Sequence, residues 1–137
     1  MARNYSETRL HISVVEWLKH ACPFLLFCHP ANQGRSPAEG AKLKRMGVLA
    51  GVPDLLFWHD GWFGGIELKT GSSLSDKQKA FKSKFEFAGG KYATCKSVKE
   101  VCDTLMLWGV KPHPYQMKEP LPPIEVRYKA AMEFFKP

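Results

Sequence analysis

Three serine-led signals punctuate the chain and limit where its helices can begin. Ser36-Pro37-Ala38-Glu39, Ser75-Asp76-Lys77-Gln78 and Ser97-Val98-Lys99-Glu100 each set a capping hydroxyl three residues ahead of a Glu or Gln. In that arrangement side chain and backbone satisfy each other's open groups at a helix start. Pro37 also suits a first helical turn. The helices so begun run to about Met46, stopped by Gly47, to about Ala88, stopped by Gly89-Gly90, and to near Trp108. A further helix is predicted over Ser6–Ala21, where Leu10, Val14, Trp17, Leu18 and Ala21 form one stripe before Pro23 ends it. Between the helices, Phe24–Cys28, Asp54–Trp58, Trp62–Thr70 and Lys91–Cys95 are short runs bounded by turn residues and read as strands. His59-Asp60-Gly61 turns the middle two into a hairpin, with Gly64-Gly65 as a bulge. The order α-β-α-β-β-α-β-α, without internal repeats, predicts an α/β (α+β) domain.

A chain of 137 residues that is 45% hydrophobic supports one core and one ordinary domain. No apolar run approaches the ~18 residues of a membrane span. The polar N-terminus lacks the centre of a signal peptide, so a cytoplasmic location is expected. Lys and Arg number 20 against 13 Asp and Glu, a net charge of +7 that suits a polyanionic partner such as nucleic acid, or serves solubility alone. Cys22, Cys28, Cys95 and Cys102 form no C-x-x-C pair and read as small buried hydrophobes; Cys22, Cys28 and His29 have the wrong spacing for a zinc knuckle. After Gly109 the composition changes. A proline-rich arm over 111–123 leads to a short amphipathic helix, Glu125 to Lys136, so residues 110–137 divide from a 1–109 domain and pack on a partner subunit or back on their own domain.

The carboxylates carry the chemistry. Asp54 opens an apolar strand, and Glu67 stands in the next strand with Lys69 on the same face and Leu68 on the other. A hairpin can bring Asp54 beside Glu67. Two carboxylates in a half-buried sheet resist ionisation unless a cation lies between them, and hard oxygen ligands select Mg²⁺ or Mn²⁺ over zinc. The alternative is a Glu67–Lys69 surface pair on an edge strand. Glu7 falls on the apolar stripe of the first helix, as a core-side carboxylate needing a partner or as half of a capping box with Asn4. Gln78 precedes Phe81 and Phe85 by helical steps and leans toward the core, a place compatible with capping Ser75.

Gly51-Val52-Pro53-Asp54, Glu67-Leu68-Lys69 and Ser75-x-x-Gln78, in this order and spacing, resemble the PD-(D/E)XK nuclease superfamily and, within it, the VRR-NUC (virus-type replication-repair nuclease) family. The resemblance spans roughly residues 6–107. It implies a restriction-endonuclease-like αβββαβ core with a mixed sheet. It further implies a Mg²⁺ or Mn²⁺ site made by Asp54, Glu67 and the Leu68 carbonyl, with Glu7 as an outer or direct ligand. Lys69 would orient the attacking water and Gln78 would support the site. The proline of the loop sits one place further from Asn32 than is usual in the family, which puts that residue's role in question.

Asn32, Arg35, Lys42, Lys44 and Arg45, with Lys77, Lys79 and Lys82, are the candidate contacts to DNA phosphates. The expected function is a metal-dependent DNA endonuclease, homodimeric and selective for branched DNA such as four-way (Holliday) junctions, because paired sites suit a twofold-symmetric substrate. A flap or restriction-type endonuclease, and a catalytically silent DNA-binding module on the same fold, are the alternatives. A phage or bacterial origin fits the resemblance.

Overall fold

The structure, a computed structural model, describes residues 5–30 and 36–113. Its elements are α1 (Tyr5–Ala21), β1 (Leu26–Cys28), α2 (Pro37–Arg45), β2 (Leu55–His59), β3 (Trp62–Leu68), α3 (Asp76–Phe87), β4 (Lys91–Cys95) and α4 (Val98–Leu107). This is the expected order, with α2 inserted into an αβββαβ core. The four strands form one sheet in the order β1-β2-β3-β4. The first two pairings are antiparallel, and β3–β4 is parallel, reached through α3.

The two faces of the sheet follow from the register. Leu55, Phe57, Ile66, Leu68 and Cys95 point to one face and are almost wholly buried against Val14, Leu18 and Ala21 of α1 and Val101 and Leu105 of α4. Phe63, Gly65, Glu67 and Tyr92 point to the other face, where α3 packs: Phe85 meets Phe63 at 5.2 Å and Tyr92 at 6.4 Å between ring centroids. Helix α2 buries none of its residues. Val110 is buried in the core and the His113 N–H donates to Ala21 O at 2.7 Å, so the chain just beyond α4 is tied to the end of α1. The rest of the expected arm and its helix lies outside the described residues, as do Asn4, Asn32 and Arg35. Among the described residues, no helix is long and apolar enough to cross a membrane.

Two local expectations change. Gly64 and Gly65 form no bulge, because both lie in unbroken register opposite Phe57 and Leu56. They are small because neighbours press on them. A Cβ on Gly65 would lie 2.6 Å from Pro53 Cγ, and one on Gly64 would lie 2.8 Å from the Trp108 ring. Apolar pressure on the backbone, rather than an extra residue, explains the pair. The cysteines also divide: Cys22 and Cys95 are buried, Cys102 is half-buried, and Cys28 is exposed because its position in β1 faces the uncovered side.

The hairpin turn is tighter than expected, with His59 paired to Trp62 and only Asp60 (φ 44°) and Gly61 (φ 81°) between them. Positive φ at both central residues matches the twist of the strands it joins. Gly51 serves position rather than turning alone. It holds φ at 81°, and a Cβ there would collide with the Lys77 carbonyl in the first turn of α3. This contact lays the segment before β2 directly on the start of α3. Gly51→Ala is expected to lower stability by about 2 kcal/mol or more through left-handed strain and the clash, read from urea denaturation midpoints.

Candidate active site

Asp54 stands one residue before β2, opposite Glu67 in β3, and crossed hydrogen bonds tie the two strands at this end. The Leu68 N–H donates to Asp54 Oδ2 at 2.8 Å, and the Asp54 N–H donates to Glu67 Oε2 at 3.2 Å. Each carboxylate is thus held by the other strand's backbone. Because a strand residue directs its N–H and C=O to the same side, the Leu68 carbonyl also faces the Asp54 strand. Lys69 places its ammonium 3.8 Å from Glu67 Oε1, with both side chains largely buried. The surface-pair alternative for Glu67 and Lys69 is thereby set aside, since Glu67 is only 5% exposed.

Gln78 performs both functions open to it. Its Oε1 accepts from the Ser75 N–H at 2.8 Å, and the Ser75 hydroxyl accepts from the Gln78 N–H at 3.2 Å, a complete capping box. The same amide turns its Nε2 inward and donates to Glu67 Oε1 at 2.9 Å. Helix α3 therefore begins where it does and reaches into the carboxylate pair through one side chain. At α4 the box is shifted: Ser97 caps the Glu100 N–H, but the Glu100 carboxylate accepts from Lys96 instead.

The pair is electrostatically unbalanced. Burial and the nearby Asp54 carboxylate raise the Glu67 pKa from 4.5 to about 7, and Lys69 only partly opposes them. Two carboxylates and one ammonium thus share this end of the sheet. Carboxylate oxygens converging at a strand end fit a divalent cation. His11, His29 and Asp54 form a second donor group, with one ligand atom of each lying within 4.8 Å of the others.

The remaining expected residues divide. Glu7 is half-buried in the first turn of α1, and among the described residues its carboxylate makes no hydrogen bond or ion pair to Asp54 or Glu67. Its neighbour Ser6 does approach, with a hydroxyl 3.1 Å from that of Thr70, directly after Lys69. Lys42, Lys44, Arg45, Lys77 and Lys79 are exposed on α2 and α3. Lys82 instead lies against the sheet, its ammonium 5.6 Å from the centre of the Tyr92 ring.

Sequence reasoning missed three residues. Tyr92 shares the Glu67 face, and its hydroxyl is buried without a partner among the described residues; burial and the charges of Glu67 and Asp54 raise its pKa. His29 carries no periodic signal, because it follows a three-residue strand. His11 was legible: it precedes Val14 and Leu18 by three and seven positions, on the stripe of α1, and is buried.

No protein-family model matches the chain, and no curated protein matches it. Among solved structures, the chain resembles one described as a VRR_NUC domain protein, with a TM-score of 0.63 over 79% of this chain and 91% of that one, at 22% identity. At that identity the likeness is one of fold, and it agrees with the mixed sheet and helix order described above.

Folding raises the pKa of Glu67, so the native state binds this proton more tightly than the unfolded chain does. Its contribution favours the fold below the ordinary value of 4.5 and is lost as pH rises through about 7. Without divalent ions, wild-type melting temperature is expected to fall between about pH 5 and pH 8 more steeply than that of Glu67→Gln. Added Mn²⁺ should recover the difference at the higher pH in wild type alone. Parallel curves for the two proteins would refute the assignment of strain to Glu67.

Proposed function

We propose that this chain is a divalent-metal-dependent endonuclease acting on DNA. The observation that carries the reading is the crossed Asp54–Glu67 pair, two carboxylates held together at one end of the sheet with Lys69 beside them. A buried Glu67 beside a half-buried Asp54 favours a bound cation, and a fold shared with a VRR_NUC domain protein supplies a context in which that cation has work to do. Held by Asp54, Glu67 and the Leu68 carbonyl, Mg²⁺ or Mn²⁺ would polarise a phosphodiester and acidify water.

The chain's own residues then divide the task. Lys69 offers a fixed positive charge for the phosphate oxygens where negative charge develops, without competing for metal. It would also orient an attacking water. Gln78 holds Glu67 Oε1 in place through its amide and so fixes the carboxylate's direction. The exposed cations of α2 and α3 follow the backbone of the nucleic acid, a contact that carries no sequence information. Glu7 completes the proposed set as an outer ligand, approaching when the site is loaded.

The proposal extends to branched DNA cut by a homodimer. Two copies related by a twofold axis present two sites to a four-way junction of the same symmetry. A silent DNA-binding module is the weaker reading, because binding alone needs neither a buried Glu67 nor a Lys69 aimed at it.

Labelled four-way junction, flap, linear duplex and single-stranded DNA, each with Mg²⁺, Mn²⁺ or EDTA, test the whole proposal. Paired metal-dependent cuts in the junction are expected. Asp54→Ala and Lys69→Ala should each lower the rate by about 100-fold or more, and Gln78→Ala by less. Cutting confined to plain duplex or flaps removes the junction selectivity. Equal DNA binding by wild type and Asp54→Ala with no cutting by either removes the nuclease.

A further inference from the structure

Asp54 has a second set of neighbours, on the strand away from Glu67. His29 follows β1, which pairs with β2 on the side opposite β3, and its Nδ1 lies 2.7 Å from the Asp54 backbone carbonyl. A carbonyl only accepts, so Nδ1 carries the proton and the lone pair is left on Nε2. An imidazole fixed in this way by a backbone carbonyl is the arrangement that prepares a histidine to ligate metal. His11, in α1 and only 8% exposed, meets the His29 ring edge-on with centroids 4.5 Å apart.

We propose that His29 and His11 extend the Asp54 carboxylate into a mixed nitrogen–oxygen metal site that takes Mn²⁺ or a later first-row divalent ion in preference to Mg²⁺. One ring nitrogen of each histidine and one Asp54 carboxylate oxygen lie within 4.8 Å of one another. Donors around an ion with bonds of about 2.1 Å sit about 3–4 Å apart, so side-chain rotation that presents the His29 Nε2 closes the set.

Ligand type sets the preference. Mg²⁺ requires near-ideal octahedral oxygen coordination and gives up water reluctantly, whereas imidazole suits the transition ions. The oxygen donors at Glu67 and Leu68 do not discriminate in this way. The inference goes beyond the nuclease reading, because the ligand set is defined without DNA and shares only Asp54 with the proposed cleavage site.

The experiment uses the full chain without DNA. Calorimetric titration with MnCl₂ and with MgCl₂ gives the two affinities, and pulsed EPR of bound Mn²⁺ reports nitrogen coupling. Wild type is expected to bind Mn²⁺ about tenfold or more tighter than Mg²⁺ and to show nitrogen coupling. His29→Ala should lose about tenfold in Mn²⁺ affinity and most of that coupling, with Mg²⁺ binding unchanged. His29 is exposed, so this variant keeps its core; His11→Gln, checked by its melting curve, is expected to give the same result. An Mn²⁺ spectrum without nitrogen coupling, or variants that bind like wild type, overturns the site. DNA cleavage supported by Mg²⁺ in a protein without nitrogen coupling would leave the nuclease standing and remove the histidine site. Nitrogen-coupled Mn²⁺ in a protein that cuts nothing would do the reverse.

Discussion

Two hydrogen bonds at one end of the sheet organise the rest of this molecule. Leu68 donates to Asp54 and Asp54 donates to Glu67, so each carboxylate is oriented by the backbone of the strand facing it. Charge-assisted bonds of this kind are stronger than neutral ones, yet they leave the two negative charges side by side. The arrangement holds only because the core face of the same strands is closed, with Leu55, Phe57, Ile66 and Leu68 almost wholly buried. Apolar burial on one face thus stabilises a charged geometry that opposes itself on the other.

The second organising feature is the close approach of segments that carry no side chain of their own at the contact. Gly51 rests on the first turn of α3, and Gly65 receives Pro53. These contacts bring the segment Gly51-Val52-Pro53-Asp54 down against both α3 and β3. The proline and the glycines act together. Pro53 is buried where Gly65 makes room, and Asp54 emerges directly after it.

Much of this was legible in the sequence because its signals are local. Capping serines with Glu or Gln three residues on mark helix starts by chemistry, and all three hydroxyls accept the bonds expected of them. The Glu67–Leu68–Lys69 alternation fixed which side chains share a face, since a strand has a period of two. The dual place of Gln78 followed from combining both rules. What was not legible depends on partners distant in sequence. Gly64-Gly65 read as a bulge because a glycine pair looks the same whether it accommodates an extra residue or a neighbour's ring. His29 comes beside Asp54 only through pairing across the sheet, where the Asp54 carbonyl, 25 residues on, meets its Nδ1. Tyr92 gave no pattern at all, and only the parallel pairing of β4 with β3 brings it to the face of Glu67.

Gln78 unites a helix start with the carboxylate pair, and this changes which substitutions count as conservative. Glutamate and glutamine are close equivalents in a capping box. In most helices exchanging them is a matter of taste. Here the amide nitrogen, which the box itself does not use, is the atom that reaches Glu67. A glutamate at this position would still cap Ser75 while adding a third negative charge and deleting a donor. A designer optimising helix α3 for stability alone would therefore accept a change that the neighbouring strand cannot, and the helix would look improved while the site lost its support.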